Sequence, residues 1–462
     1  MNKQIKLRSI PSVDVLLNKP YIEKLVSVYS RKMVLYCIRN VLTQMRSEIQ
    51  KKKDLSDICL SESIEQRIRK SLHAQAQVGI RKIVNGTGII LSTNLGRAVL
   101  AKQAVEALSQ LSEYSSLEVD LATGGRGRRW LQIENLLQVI TGAQAAALVN
   151  NNAAATMLIL NTFAKGKEVI VSRGQLVEIG GSFRLPDVMA QSGCILIEVG
   201  ATNRTHLRDY ERAINDNTAL LFRVHTSNYK IKGFTSEVSL KELVALGKKK
   251  KIPVVDDIGS GALTDLARFG FKEEPQVQSS IKHGADLVCF SADKLLGGSQ
   301  GGIILGKRKY IDKIRKNPLS RALRLGKLSL TVLEAALRLY LHEDTIDQHI
   351  PVLKMLKVPV EELAQRADAL AHALPQLCSG ISVQVKDGFS QVGGGSLSEE
   401  NIPTKVLRIQ VKGLSAAECA QRLRSHTIPV LTRIKNNHVI IDMRTILEND
   451  TIIKEAFNSL LS

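Results

Sequence analysis

The chain has 462 residues, 44% of them hydrophobic, and a mean hydropathy of -0.02; that excludes a mostly disordered polymer and is long enough for two or three domains. No run approaches the roughly 18 apolar residues of a membrane span, and the opening MNKQIKLRSIPSVD lacks the apolar stretch of a secretory signal, so a cytoplasmic protein with no membrane partner is expected. Net charge is +20, from 64 Lys and Arg against 44 Asp and Glu, which points to a polyanionic partner, most often nucleic acid. A generally basic proteome is the bland alternative. Aromatic residues are only 4%, so base stacking on exposed rings is a minor contributor. The six cysteines (Cys37, Cys59, Cys194, Cys289, Cys378, Cys419) form no CxxC pair, which reads as a reducing compartment without a cysteine metal site.

Residues 1 to about 75 lack glycine and read as short amphipathic helices, VDVLLN and then YIEKLVSVYSRKMVLYCIRNVLTQMRSEIQ, with a basic break at Lys51, Lys52 and Lys53. This stretch carries 15 Lys and Arg against 7 Asp and Glu, a large share of the excess charge. It is expected to be a separate helical unit (1–75) ahead of a large domain (76–345) and a C-terminal domain (346–462). In the large domain, short apolar runs alternate with helix-length segments: AALVN (146–150), EVIVS (168–172), ILIEV (195–199), ALLFRV (219–224), IPVVD (252–256), ADLVCF (285–290) and GGIILG (301–306). Such a pattern predicts an α/β fold with a mostly parallel sheet covered on both faces. A long helical region is expected from Thr331 to Leu374. The end reads strand, helix, strand, strand (VLRIQV, AAECAQRLRSH, IPVLTRI, HVIIDMR), a small α+β domain.

In such a sheet, functional groups gather at the carboxyl ends of the strands. Past AALV stand Asn150, Asn151 and Asn152, then a helical AAATMLIL; past ALLFRV stand His225, Thr226, Ser227 and Asn228; past IPVV stand Asp256 and Asp257; past ADLVCF stand Ser291, Ala292, Asp293 and Lys294. A strand-to-helix turn of small residues can hold a phosphate on its backbone N–H groups. An aspartate closing a buried strand can pair with a protonated ring nitrogen. A lysine between an apolar strand and a GG turn can form a Schiff base, with the serine three residues earlier touching the phosphate. Taken singly, an N-cap, a loop cap and a solvated lysine explain each equally well. Together, in that order, they are what pyridoxal phosphate requires of a protein. GGIILGK (301–307) has P-loop spacing, but Arg308 replaces the magnesium-binding Ser or Thr and IIL reads as a strand.

SVDVLL, NGTGIILSTNLGR, GGRGRR, VNNNAAA, SRGQLVEIGGSFRLPDVM, VHTSNYKIKGF, DDIGSGAL, SADKLLGGSQGGI and NPLSRALRLGKLSL together closely resemble the bacterial selenocysteine synthases, the L-seryl-tRNA(Sec) selenium transferases. The resemblance covers nearly the whole chain. It implies a fold-type I pyridoxal-phosphate transferase that converts seryl-tRNA(Sec) to selenocysteyl-tRNA(Sec) with selenophosphate, by loss of the serine hydroxyl and selenium addition to the resulting aminoacrylyl-tRNA. It also implies a homodecamer built from dimers and an N-terminal domain that grips tRNA. Carried across by position, Lys294 holds the cofactor and Asp257, rather than Asp256, faces the pyridine nitrogen. Asn152 and Ala153 offer backbone donors to the phosphate with Ser291 assisting, and His225 counts with the cofactor-binding residues. Arg97, Arg321 and Arg324 match the arginines proposed to bind the anionic selenium donor, a role that suits paired guanidinium hydrogen bonds.

The chain departs from the family at Ser92, where histidine is frequent, and at Gln175, where glutamate is frequent, which puts any acid–base role of those positions in doubt. Arg408 and Arg433 read as structural residues rather than a carboxylate clamp, since an esterified serine needs none. Two other readings stand beside this one: a pyridoxal-phosphate amine lyase acting on a small amino sugar or amino acid, which would not require the basic N-terminal unit, and a non-catalytic tRNA-binding protein, against which Lys294 argues.

Overall fold

The computed structural model describes residues 3–51, 64–180 and 183–460. Lys52, Lys53 and Cys59, and Gly181 and Ser182 of the SRGQLVEIGGSFRLPDVM motif, lie outside the described residues. The chain forms two compact units, Met1–Lys82 and Ile83–Ser462.

Among the described residues of the first unit, the regular elements are helices: α1 (Lys3–Arg8), α2 (Val13–Leu17), α3 (Pro20–Tyr29), α4 (Arg31–Lys51) and α5 (Ile64–Ala76). Apolar residues at helical spacing on α4, among them Val34, Ile38, Leu42 and Met45, bury against Ile22 and Leu25 of α3 and Ile68 and Leu72 of α5. The sequence pattern runs unbroken from Tyr21 to Gln50, yet the chain turns at Ser30, whose φ is 74°. A polar residue in the left-handed region ends one helix and starts the next. Arg67 of α5 pairs with Glu48 of α4 at 3.0 Å.

The second unit is built on a seven-stranded sheet: β1 (Ala145–Val149), β2 (Glu168–Ser172), β3 (Ile195–Val199), β4 (Thr218–Val224), β5 (Val254–Gly259), β6 (Leu287–Ser291) and β7 (Gly302–Gly306). Its spatial order is β1-β7-β6-β5-β4-β2-β3. Only β7 runs antiparallel to its neighbours. All seven coincide with the apolar runs, and GGIILG is indeed strand. The alternation of side chains across a strand decides which face each packs on. Ile170, Leu221 and Val254 join one core, whereas Val169, Val171, Leu220, Phe222 and Val255 join the other. Both faces are therefore dry, as continuous apolar strands require. Helix α6 (Asn152–Ala164), apolar nearly all round, lies in the second core.

The C-terminal part carries an antiparallel sheet, β8 (Ile381–Gly393), β9 (Ser396–Val411), β10 (Arg433–Lys435) and β11 (His438–Asp442), in the order β8-β9-β11-β10. The helices α7 (Val360–Leu377), α8 (Ala416–Ser425) and α9 (Asp450–Asn458) pack on it. Three expectations need correction. The helical region from Thr331 to Leu374 is four helices, Lys327–Leu339, Ile346–His349, Pro351–Lys357 and α7; Pro351 and Pro359 cannot donate to a preceding turn and restart the helix. IPVLTRI is not one strand: Val430–Leu431 pairs in parallel with Val84–Asn85, and only Arg433–Lys435 joins β11. The sequence reading also omits β8 and α9, the first because KDGFSQ interrupts its apolar alternation.

The β8–β9 hairpin closes through Gly394 and Gly395, with φ of 64° and 71°; positive φ at both positions is what a tight two-residue turn demands. Behind it, fully buried Asp442 accepts hydrogen bonds from Ser390 Oγ (3.0 Å), Thr404 Oγ1 (2.9 Å), the Arg444 backbone (3.1 Å) and Arg433 (3.2 Å). A Cβ at Gly88 would fall 2.1 Å from Asp442 Oδ2, so glycine is required there. Burial pushes the Asp442 carboxyl up, against those hydrogen bonds. Replacing Asp442 by Ala orphans several buried donors and is expected to cost about 3 kcal/mol, against about 1 kcal/mol for Ser390→Ala. Denaturant midpoints of the two variants check this; similar small shifts would contradict it.

Candidate active site

A cavity of about 410 Å³ opens at the carboxyl ends of β1, β4, β5 and β6. It is lined by Arg97, Asn152, Ala153, His225, Asp257, Ser291 and Lys294, seven residues singled out from the sequence on five separate segments. The lysine is held by the turn that follows β6. Ala292 N donates to Gly301 O (2.8 Å), Leu295 N to Ser260 O (3.1 Å) and Gly298 N to Ala292 O (2.9 Å). These bonds leave the Lys294 side chain 5% exposed. Burial holds its ammonium below the usual lysine range; the Arg97 guanidinium pushes the same way, while Asp293 and Asp257 oppose.

The two neighbouring aspartates of β5 point to opposite faces. Asp256 is spent on structure, accepting from Arg223 at 2.8 Å and Ser280 at 2.6 Å. Asp257 turns to the cavity, where Asn152 Nδ2 donates at 2.8 Å and Thr156 Oγ1 at 3.0 Å. Burial pushes the Asp257 carboxyl up; the two hydrogen bonds and Lys294 pull it down. A cation brought beside it would favour the carboxylate further.

At the start of α6, Asn151 Oδ1 caps the helix by accepting from Ala154 N at 2.8 Å. The first helical N–H groups, those of Asn152 and Ala153, have no acceptor within the helix and border the cavity. Asn152 Oδ1 is buried and lacks a hydrogen-bond partner among the described residues. Gly302 allows β7 to pass this turn, since a Cβ there would meet Asn151 O at 2.1 Å. A buried amine, a buried carboxylate and a helix N-terminus with open donors fit the aldehyde, ring nitrogen and phosphate of pyridoxal phosphate.

Arg97 lies in the turn after Thr93–Leu95 with φ of 61° and pairs with Asp293 at 2.9 Å. Arg321 and Arg324 do not line this cavity. Both are exposed, and Arg324 borders a separate cavity of about 50 Å³ with Arg129, Trp130 and Arg315. Ser92 contributes its carbonyl to the Arg97 turn, accepting from Leu95 N and Arg97 N. Gln175 is 4% exposed and accepts from Val224 N at 3.1 Å. Arg433 is tied to Asp442 and Arg408 contacts His438, both structural.

Two strand-end residues that the sequence named without assigning a role also belong here. Asp293 pairs with Arg97, and Ser227 lines the cavity at 5% exposure. A Cβ at Gly395 would stand 3.6 Å from Lys294 Nζ, so the hairpin tip walls the lysine. The run of glycines at 393–395 between two alternating segments was the signal for that hairpin.

A lowered lysine carries more neutral amine at a given pH. The rate at which pyridoxal phosphate attaches to Lys294 is therefore expected to rise with pH and level off below the ordinary lysine value of 10.5. Arg97→Met removes a cation and frees Asp293; both changes favour the ammonium and move the midpoint up. Rapid-mixing absorbance across pH checks this, and a wild-type midpoint at or above 10.5 would contradict it.

Residues 83–447 match the family described as L-seryl-tRNA selenium transferase, and residues 7–46 match the selenocysteine synthase N-terminal family. Among curated relatives, the L-seryl-tRNA(Sec) selenium transferase of Alkaliphilus metalliredigens (strain QYMF) is 48% identical over 465 residues, covering 100% of both chains. That of Clostridium botulinum (strain Okra / Type B1) is 46% identical over 463 residues with the same coverage. Of solved structures, D-glucosaminate-6-phosphate ammonia-lyase aligns with a TM-score of 0.55 at 19% identity, covering 83% of this chain and 96% of that one. That likeness shows the fold, the fold-type I α/β architecture expected from the motifs. The family match over most of the chain and the full-length identities agree, and the chain belongs to the L-seryl-tRNA selenium transferase family.

Proposed function

We propose that the chain converts L-seryl-tRNA(Sec) to L-selenocysteyl-tRNA(Sec), with selenophosphate as donor and pyridoxal phosphate held at Lys294. The observation that carries the chemistry is the buried Lys294 amine, 5% exposed, in one cavity with the Asp257 carboxylate; the family assignment supports selenium transfer over the amino-sugar lyase alternative. When bound, the cofactor supplies an electron sink that acidifies the serine Cα. Asp257 would keep a proton on the ring nitrogen, and Asn152 N, Ala153 N and the Ser291 hydroxyl would hold the phosphate. The Lys294 amine, which burial holds below the usual lysine range, would be the base that takes the proton from Cα. Arg97, already at the cavity wall, is the best placed of the three arginines for an anionic selenium donor. Arg321 and Arg324 would meet the donor outside this cavity, from the exposed SRALR turn.

The substrate's size assigns a role to the helical unit, which we place as the tRNA-binding domain of a cytoplasmic homodecamer, followed by large (76–345) and C-terminal (346–462) domains. The tRNA's condensed counterions would be released when the unit's Lys and Arg meet phosphates, so affinity for tRNA should fall steeply with salt. Lys294→Ala should lose the cofactor absorbance band and all conversion of seryl-tRNA while still binding tRNA. Deletion of residues 1–75 should do the reverse, keeping the band and losing tRNA affinity. A flat salt response, or conversion that survives the deletion, would overturn the assignment of tRNA binding to this unit.

A further inference from the structure

His225 follows β4, and its backbone N donates to Asp257 O at 2.8 Å, fixing the start of the side chain at the cavity wall. The imidazole is 23% exposed, and its Nε2 stands 3.8 Å from Glu274 Oε2. Glu274 belongs to the loop between the short helix Leu266–Phe269 and the helix Val277–His283. That loop is pinned beside β5 by the bond from Val277 N to Ala262 O at 3.0 Å. The Glu274 side chain is only 2% exposed, and its Oε1 has no hydrogen-bond partner among the described residues. The neighbouring Glu273 is spent on Lys230 at the surface. A carboxylate buried to this extent is costly unless it meets a donor, and the His225 ring nitrogen 3.8 Å away faces it.

We propose that Glu274 is the positioning residue for His225. A carboxylate can only accept, so it selects the ring form with hydrogen on Nε2 and leaves Nδ1 for the cavity. The ring is then held in one orientation against the wall that also carries Lys294 and Asp257. At 3.8 Å the contact is longer than a hydrogen bond, and such contacts tighten when a site fills. The inference deepens the cofactor-site reading and rests on it for its catalytic consequence, though not for the orientation of the ring.

The test uses the full-length protein and the variants Glu274→Gln, Glu274→Ala and Glu274→Asp. In cofactor-free protein, carbethoxylation of His225 by diethyl pyrocarbonate, followed by peptide mass spectrometry, reports how firmly the ring is held. Roughly fivefold faster modification is expected in the Gln and Ala variants, with Asp near wild type. In loaded protein, Gln should lower kcat about tenfold or more with KM for seryl-tRNA within about twofold, covalent attachment at Lys294 retained and Asp partly restoring kcat. Unchanged His225 reactivity in both Gln and Ala would overturn the proposal, as would equal losses in Gln and Asp. If wild type fails to convert seryl-tRNA at all, selenium transfer falls while the histidine readout still decides the role of Glu274.

Discussion

Holding an amine and a carboxylate out of water in the same cavity is the constraint on which the rest depends. Lys294 and Asp257 are each about 5% exposed, and burial pushes both toward their neutral forms, the lysine down and the aspartate up. Neither could sit there without support. Asn152 and Thr156 donate to Asp257, and the turn that carries the lysine is tied down by backbone bonds from Ala292, Leu295, Gly297 and Gly298. Much of the sheet's architecture serves that arrangement. The antiparallel β7 returns beside β6 through glycines that permit its approach to the Asn151 turn, and the aspartate pair of β5 splits its duties between the two faces.

A second constraint comes from the C-terminal sheet. The β8–β9 hairpin reaches the cavity with its glycine tip, so one wall beside Lys294 is main chain rather than side chain. That wall is held from behind by Asp442, which gathers β8, β9 and the Gly86–Gly88 segment around one buried carboxylate. The hairpin thus links the packing of the C-terminal sheet to one wall beside Lys294.

The central sheet was legible because its strands are short, apolar and separated by helix-length segments; each of EVIVS and ILIEV became a strand with the expected bounds. Strand ends were legible for the same reason, and so the cavity's polar residues could be named before any contact was known. What stayed hidden depends on long-range pairing. Alternation in β8 is broken by charged and small residues, and nothing local shows that Val84–Asn85 pairs with Val430–Leu431. Choosing Asp257 over Asp256 rested on resemblance, and its physical basis, Arg223 and Ser280 claiming the other carboxylate, appears only in three dimensions. Glu274 was invisible because it lies in an irregular loop, far in sequence from the histidine it faces. Arg321 and Arg324 were named from the resemblance alone, and they lie outside the cavity's lining.

The proposed chemistry requires the side chain at 294 to anchor the cofactor. Reducing the loaded protein with borohydride and mapping its peptides by mass spectrometry should find the pyridoxyl mass on Lys294 and on no other lysine. The same mass on a different lysine, or none anywhere in a protein that still converts seryl-tRNA, would contradict it.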